Sequence, residues 1–366
     1  MNRAYRIIPC YTGDVSGVCS ALFELGGMVV IHDPSGCNST YNTHDEIRWY
    51  DQNSLIFISG LAEIDAVMGN DEKFISDVAD AAERLRPKFI ALANSPVPFL
   101  NGTDFAAISR VIEHRTGIPT FYLPTNGMHD YVRGAGEALA EIARRFVAPP
   151  ETVRKGTVNL LGVTPLDFAH ADAPRSLRAA CAKAGLEVLS CWAMGDCLET
   201  LARAGEAERN IVVSAVGLKA AKALQARFGT PYTIGCPVGA LQAGAAIPAL
   251  PVRHDWVVIG EPVTMGSLAA AIGMETGAAP KVLCPVEDCE DLISDSIQAT
   301  VGEEDIENAI KDVKVVIADP LYRPICPKGA IFLPMPHLAF SGRIHLRQMV
   351  NLPELDVKSL LKGVTP

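Results

Sequence analysis

The feature that most constrains this chain is a rhythm. Short runs of β-branched and apolar residues alternate, from one end to the other, with stretches whose apolar residues recur at helical spacing. Parallel strands need a long crossover between them, so this alternation predicts an α/β protein of doubly wound parallel sheets crossed by helices. In the first third, strands are expected at 5–8, 28–32, 55–59, 89–93 and 120–123. After Asp71, the residues Phe74, Ile75, Val78, Ala82 and Leu85 repeat as one helical face, and Pro87 stops the run.

A chain of 366 residues exceeds what one hydrophobic core organises. Paired prolines in Val147-Ala148-Pro149-Pro150-Glu151-Thr152 interrupt the rhythm, and a Pro- and Gly-rich stretch occupies 237–251. We therefore expect three Rossmann-like α/β units, at 1–150, 151–250 and 251–366. The second should hold strands at 157–163, 187–191 and 210–213, with Leu218, Ala221, Leu224 and Phe228 on a helix closed by Gly229. The third should hold strands at 256–259, 281–283, 313–318 and 331–333.

Composition narrows the partners. Hydrophobic residues make up 49% of the chain, which supplies the buried sheets, and the net charge of −10 argues against nucleic acid or an anionic membrane as main partner. The start lacks the apolar segment of an export signal, and the weakly polar stretch 239–252 is broken by glycines and prolines, so a cytoplasmic protein without a membrane span is expected. In that setting the ten cysteines are reduced thiols or metal ligands rather than a disulfide framework.

The run Gly26-Gly27-Met28-Val29-Val30-Ile31-His32 reads as a buried strand, and Asp33-Pro34-Ser35-Gly36-Cys37 turns out of it. Ligands of open α/β sheets sit at the carboxyl ends of strands, so Cys37 is placed to ligate something. Cys10, just past the first expected strand, occupies the same topological position.

These residues carry a resemblance. Gly17-Val18-Cys19-Ser20-Ala21-Leu22 running to Ser35-Gly36-Cys37 is similar to the cluster-binding cysteine segment and Gly-x-x-Gly-Cys of the nitrogenase component 1 family, with Asp33 where the first Gly usually stands. Leu61-x-Glu63-x-Asp65-x-Val67-x-Gly69-x-Asp71-x-Lys73-Phe74 resembles that family's acidic motif. Asn210-Ile211-Val212-Val213 through Phe228-Gly229-Thr230-Pro231-Tyr232, and Gly260-Glu261-Pro262, resemble its second- and third-domain signatures. The matches span most of the chain in the family's order.

The resemblance implies a [4Fe–4S] cluster held by thiolates, with Cys10 and Cys37 as metal ligands. Members with a full set place a third cysteine where this chain has Asn94-Ser95-Pro96, so Ser95 or Pro96 occupies that place, and Ser95 is the cofactor-binding candidate there, without a thiol. One chain then falls short of four cysteines. The cluster is expected at a subunit interface, shared in a homodimer or in a heterodimer with a related component 1 subunit. Cys19 has two readings, a further ligand or a small core residue; Cys181, Cys191, Cys236, Cys284 and Cys289 are read as structural.

The chain has no Gly-x-x-x-x-Gly-Lys-Ser/Thr loop. The resemblance accordingly implies electrons from a separate ATP-hydrolysing iron–sulfur reductase of the component 2 type. Where the catalytic molybdenum subunit anchors its iron–molybdenum cofactor with a cysteine, this sequence has Ser214, and the second anchor, a histidine, matches His337 displaced by one residue. No iron–molybdenum cofactor is expected, and His337 is either a ligand or a hydrogen-bonded structural residue. His44, Asp45 and Arg48, with Trp49, His129 and Arg133, are the candidates for the catalytic and substrate-binding groups: an acid beside a histidine can deliver protons, and arginines suit a carboxylated tetrapyrrole or another unsaturated ligand. Surface ion pairing is the competing role for Asp45 and Arg48. Three functions are thus open: an oxidoreductase subunit acting on something other than dinitrogen, a scaffold for metal-cluster assembly, or a binder of small molecules or metal chelates.

Overall fold

The computed structural model describes residues 5–8, 11–34 and 46–364; Cys10, Cys37, His44 and Asp45 lie outside them. Three all-parallel sheets follow one another along the chain. The first contains β1 (Met28–His32), β2 (Leu55–Ile58), β3 (Ile90–Asn94) and β4 (Thr120–Leu123) in the order β2-β1-β3-β4. The second has β5 (Arg154–Leu161), β6 (Glu187–Cys191), β7 (Ala207–Val212) and β8 (Tyr232–Ile234) in the order β6-β5-β7-β8. The third has β9 (Val252–Ile259), β10 (Ala279–Cys284), β11 (Ile297–Ala299), β12 (Val315–Ala318) and β13 (Ile331–Pro334) in the order β11-β10-β9-β12-β13. The doubly wound α/β architecture read from the sequence is therefore the observed one.

Helices of the first part are α1 (Asp14–Leu22), α2 (Glu63–Met68), α3 (Asp71–Leu85), α4 (Pro96–Leu100), α5 (Phe105–Thr116) and α6 (Tyr131–Arg145). α3 shows why the pattern was legible. Asp71 and Glu72 favour its N-terminus, Phe74, Ile75, Val78 and Ala82 are buried on one face, and Arg86 ends it in the left-handed region before Pro87. Later helices are α7 (Pro165–Phe168), α8 (Ala173–Lys183), α9 (Leu198–Leu201), α10 (Leu218–Phe228), α11 (Pro262–Thr276), α12 (Glu303–Ile310), α13 (Leu338–Ser341) and α14 (Val357–Leu360). α10 closes on Gly229 at φ +74°, as its sequence predicts.

One expected strand is absent. Residues 5–8 form no ladder; the backbone N–H groups of Arg6, Ile7 and Ile8 instead donate to the buried carboxylate of Glu303 at 2.9, 2.8 and 2.9 Å. A carboxylate on the third sheet's helix α12 thus satisfies donors that would otherwise seek a neighbouring strand. Two short edge strands, β8 and β11, were not anticipated, because three residues carry too little periodicity to read.

The strands of the first sheet divide their side chains by the two-residue period. Val29 and Ile31 point into the core cluster that runs through all three sheets, whereas Met28 and Val30 pack with Phe74, Val78 and Ile108 beneath α3 and α5. α1 crosses α6 so closely that a Cβ on Gly134 would lie 1.9 Å from the carbonyl oxygen of Asp14, and one on Gly17 would lie 2.3 Å from that of Tyr131. This crossing fixes the position of the loop after β4.

Candidate functional site

In a doubly wound sheet the loops diverge where the strand order reverses, and the crevice at the carboxyl ends of those two strands is where ligands bind. Three such switch points exist here: β1/β3, β5/β7 and β9/β12. At two of them polar groups of the chain bond one another. At β5/β7 the buried Ser214 hydroxyl donates to the carbonyl of Gly162 at 2.7 Å. At β9/β12 the buried Glu261 carboxylate caps α11, accepting from Val263 and Thr264 N–H at 2.9 and 2.7 Å, from the Thr264 hydroxyl at 2.6 Å, and from Ala215 N–H of the second sheet's unit at 2.6 Å. Burial and the nearby Asp167 push the Glu261 carboxyl up to about 7. Asp319, opposite, accepts from Leu321 N–H, His337 N–H and the Ser341 hydroxyl at 2.8, 2.7 and 2.8 Å.

The third switch point is β1/β3. His32 and Asn94 face each other in register at the strand ends. From β1 the chain passes through Asp33 and Pro34 toward Cys37; from β3 it passes through Ser95 into α4. The Ser95 hydroxyl and the Asn94 side-chain carbonyl are buried and have no hydrogen-bond partner among the described residues. Two such orphans side by side are costly, and they mark a place built to meet something else. The surroundings are firmly held. Thr125 exchanges hydrogen bonds with the Asn94 backbone at 2.7 and 2.8 Å. The fully buried Asp14 carboxylate, pushed up by burial, accepts from the N–H groups of Val15, Asn126 and Gly127 at 2.8, 2.9 and 2.9 Å. His32 bonds Ser59 through Nδ1 at 2.8 Å and stacks on Phe74, and burial depresses its pKa to about 4, so it is neutral at physiological pH.

The other expected site residues scatter. Arg48 does not face a substrate cavity. Its five N–H donors are all used: Nε and Nη2 on Glu46 at 2.7 and 2.8 Å, Nη1 on Glu24 and the Ala193 carbonyl at 2.9 and 3.0 Å, and Nη2 on the Ser20 carbonyl at 2.9 Å. That geometry corrects both readings made for it, since it is neither a free carboxylate receptor nor a surface pair; it rivets the segment after Cys37 to α1 and to the second sheet's unit. Trp49 packs edge-on to Phe23. Cys19 lies in the core with no exposed surface, and burial pushes its thiol up. His129 pairs with Glu287 at 2.8 Å, joining the first and third parts of the chain. His337 is enclosed, stacked on Phe340 and 3.5 Å from the Asp167 carboxylate, which also accepts from the hydroxyls of Tyr131 and Thr164 at 2.6 and 2.8 Å. Sequence reading passed over Asp14 and Asp167, and named Asn94 and Glu261 only as members of motifs. The available signal was a polar residue at the end of an apolar run, which means little until burial is known.

Residues 16–250 match the family described as nitrogenase component 1 type oxidoreductase. The chain belongs to that family. It is 30% identical over 186 residues to a component of the light-independent protochlorophyllide reductase of Rubrivivax gelatinosus (strain NBRC 100245 / IL144), covering 47% of this chain and 34% of the relative. It is 25% identical over 272 residues to the nitrogenase iron-molybdenum cofactor biosynthesis protein NifE of Klebsiella pneumoniae, covering 70% of this chain and 58% of the relative. The chain thus spans from about a third to somewhat over half of the length of these curated relatives. The solved structure titled "Nitrogenase Cp1 at pH 6.5" superposes over 100% of this chain and 94% of its own, with a TM-score of 0.68 at 15% identity, a likeness of fold. As a member of this family the chain is an oxidoreductase-type protein.

An apolar face flanks that switch point. α2 buries none of its residues: Ile64, Val67 and Met68 are 66%, 76% and 73% exposed, and Leu100 at the end of α4 is 76% exposed. Between the two helices runs a groove of about 370 Å³ that reaches Pro34. Contiguous exposed apolar surface is a general feature of interaction sites.

Proposed function

We propose that this chain is the electron-accepting component of a two-component reductase, taking electrons from an ATP-hydrolysing iron–sulfur reductase and passing them to a bound substrate other than dinitrogen. The observation that carries the reading is the pair of buried groups, the Ser95 hydroxyl and the Asn94 side-chain carbonyl, left without a partner among the described residues at the ends of β1 and β3.

The donor set read from the sequence would suit a [4Fe–4S] cluster. Cys10 and Cys37 would supply thiolates, and Ser95 stands at a third position with a hydroxyl. Cysteines of a second copy, or of a related component 1 subunit, would complete the set, and the exposed face of α2 and α4 is the surface on which such a subunit would seat. When bound, the cluster supplies one-electron transfer. The chain's own residues do the rest: Asp14 and Thr125 hold the loops around the corner, Arg48 anchors the segment that carries His44 and Asp45, and those two are assigned to proton delivery. Ser214, bonded to Gly162, supports a destination for the electrons other than an iron–molybdenum cofactor. No helix among the described residues is long and apolar enough to cross a membrane. The proposed setting is the cytoplasm, where the thiols stay reduced.

The test is iron and acid-labile sulfide per subunit, with an electron paramagnetic resonance spectrum of the dithionite-reduced protein, after purification without oxygen. Wild type should carry a cluster, and Cys37→Ala should lose it with an unchanged circular dichroism spectrum. Iron retained at wild-type stoichiometry in Cys37→Ala would overturn the assignment, as would a wild-type protein that takes up no iron on anaerobic reconstitution. A second reading, a scaffold on which a metal cluster is assembled for transfer, is favoured by the broader alignment with NifE. ATP-dependent substrate turnover with the partner reductase separates the two.

A further inference from the structure

β8 ends the second sheet on one side and β11 ends the third, so both strands are edges. A cavity of about 570 Å³ is bounded by both. Its walls come from β8, from the segment 246–252 that leads into β9, from the first turn of α11 and from 291–297, which runs into β11. The walls are apolar: Ile234, Ile247, Leu250 and Val252 are half-buried, and Ile293 is 38% exposed. Cavities of this size and lining are where small molecules bind, with a few polar groups fixing their orientation.

Two kinds of polar group are present. The first is the open edge of β8. In a parallel ladder alternate residues bond opposite neighbours. Asn210 N–H donates to the Pro231 carbonyl at 2.8 Å and Gly235 N–H to the Val212 carbonyl at 3.0 Å, so Tyr232 and Ile234 face away from β7. The Ile234 carbonyl accepts from Ile247 N–H at 3.1 Å, whereas the outward N–H and carbonyl of Tyr232 have no backbone partner among the described residues. The second is charge of one sign. No lysine, arginine or histidine lines the cavity, and its charged groups are the carboxylates of Asp291 and Asp295. Asp291 takes the Lys222 ammonium from α10, which leaves the exposed Asp295 to set the sign. An anionic ligand would meet carboxylates with no cation on the walls to receive it.

We propose that this cavity binds a small apolar molecule carrying a protonated amine. Its apolar body lies against Ile247 and Ile293, its ammonium faces Asp295, and a hydrogen-bonding group meets the open edge at Tyr232. Occupancy ties the second part of the chain to the third. The site shares no residue with the β1/β3 corner and does not depend on a cluster there.

The test titrates the full chain with monodansylcadaverine, a fused aromatic ring on an alkylammonium arm, at physiological salt, and reads dansyl anisotropy. Dansyl-6-aminohexanoate, with a carboxylate on a similar arm, and neutral dansylamide are the comparison probes. The amine should bind saturably at one site per chain, and the acid roughly tenfold more weakly. Asp295→Asn should weaken the amine by about fivefold and leave dansylamide unchanged. Ala249 and Ala246 are exposed small residues of the wall, so Ala249→Trp, and independently Ala246→Trp, should fill the cavity and abolish binding with an unchanged circular dichroism spectrum. Binding that does not saturate, an acid that binds as tightly as the amine, or unaltered affinity in both tryptophan variants overturns the proposal.

Discussion

Replacing Arg48 with alanine should loosen the seam between the first and second sheets, and its energetic cost can be worked from the contacts. The guanidinium sits 2% exposed over the Phe23 ring, and Glu46, its bidentate partner, is 1% exposed. Truncation strands the Glu46 carboxylate in the interior and removes donors from the carbonyls of Ser20 and Ala193. Two unit charges about 4 Å apart at an effective dielectric of about 20 attract by roughly 4 kcal/mol. Breaking one side of a buried ion pair costs about 3–5 kcal/mol, which agrees. Glu24, its other partner, retains access to water and adds little. We therefore expect Arg48→Ala to lose about 3–5 kcal/mol of unfolding free energy. Arg48→Lys should lose a smaller part, because an ammonium restores the charge but not the five-donor fork. Arg48→Met combined with Glu46→Gln should recover much of the loss by removing both charges. Equilibrium urea denaturation followed by tryptophan fluorescence suits the question, since Trp49 lies beside Phe23 and Trp192 adjoins Ala193. A loss below about 1 kcal/mol for Arg48→Ala, accompanied by loss of substrate binding, would refute this account and return Arg48 to the substrate site.

Two buried groups should give opposing pH dependences. His32 is held near 4 when folded and titrates near 6.5 unfolded, so the unfolded chain binds the extra proton and stability is lost as pH falls from 6.5 toward 4, by up to about 3 kcal/mol. Glu261 is held near 7 when folded and near 4.5 unfolded, so the folded chain keeps the proton and stability falls as pH rises from 4.5 to 7, by a similar about 3 kcal/mol. Wild type should therefore show a shallow profile across this window, with His32→Gln unmasking a fall toward neutrality and Glu261→Gln a fall toward acid; variant profiles parallel to wild type would remove these two groups as the titrating pair. On the exposed face, Val67→Glu with Leu100→Glu should leave stability within about 0.5 kcal/mol of wild type yet abolish subunit association in light scattering after gel filtration. An unchanged molar mass would exclude this face as the interface.

The alternation of β-branched runs with helical faces determined the fold class, because burial on both sides of a parallel sheet forces near-continuous apolar runs that are visible without coordinates. Thr120–Leu123 and Glu187–Cys191 are observed with the bounds that the sequence implied. Long-range satisfaction of polar groups was not legible. Residues 5–8 looked like a strand until Glu303, almost 300 positions away, took their N–H groups. Arg48 looked like a substrate receptor until its donors were found spent. Ser95 looked like a lost ligand, and only burial showed its hydroxyl to be an orphan. Periodicity is a property of neighbours along the chain, so the sequence determines it alone. Whether a polar group is spent or free depends on partners brought from distant segments, and that was decided by the tertiary structure.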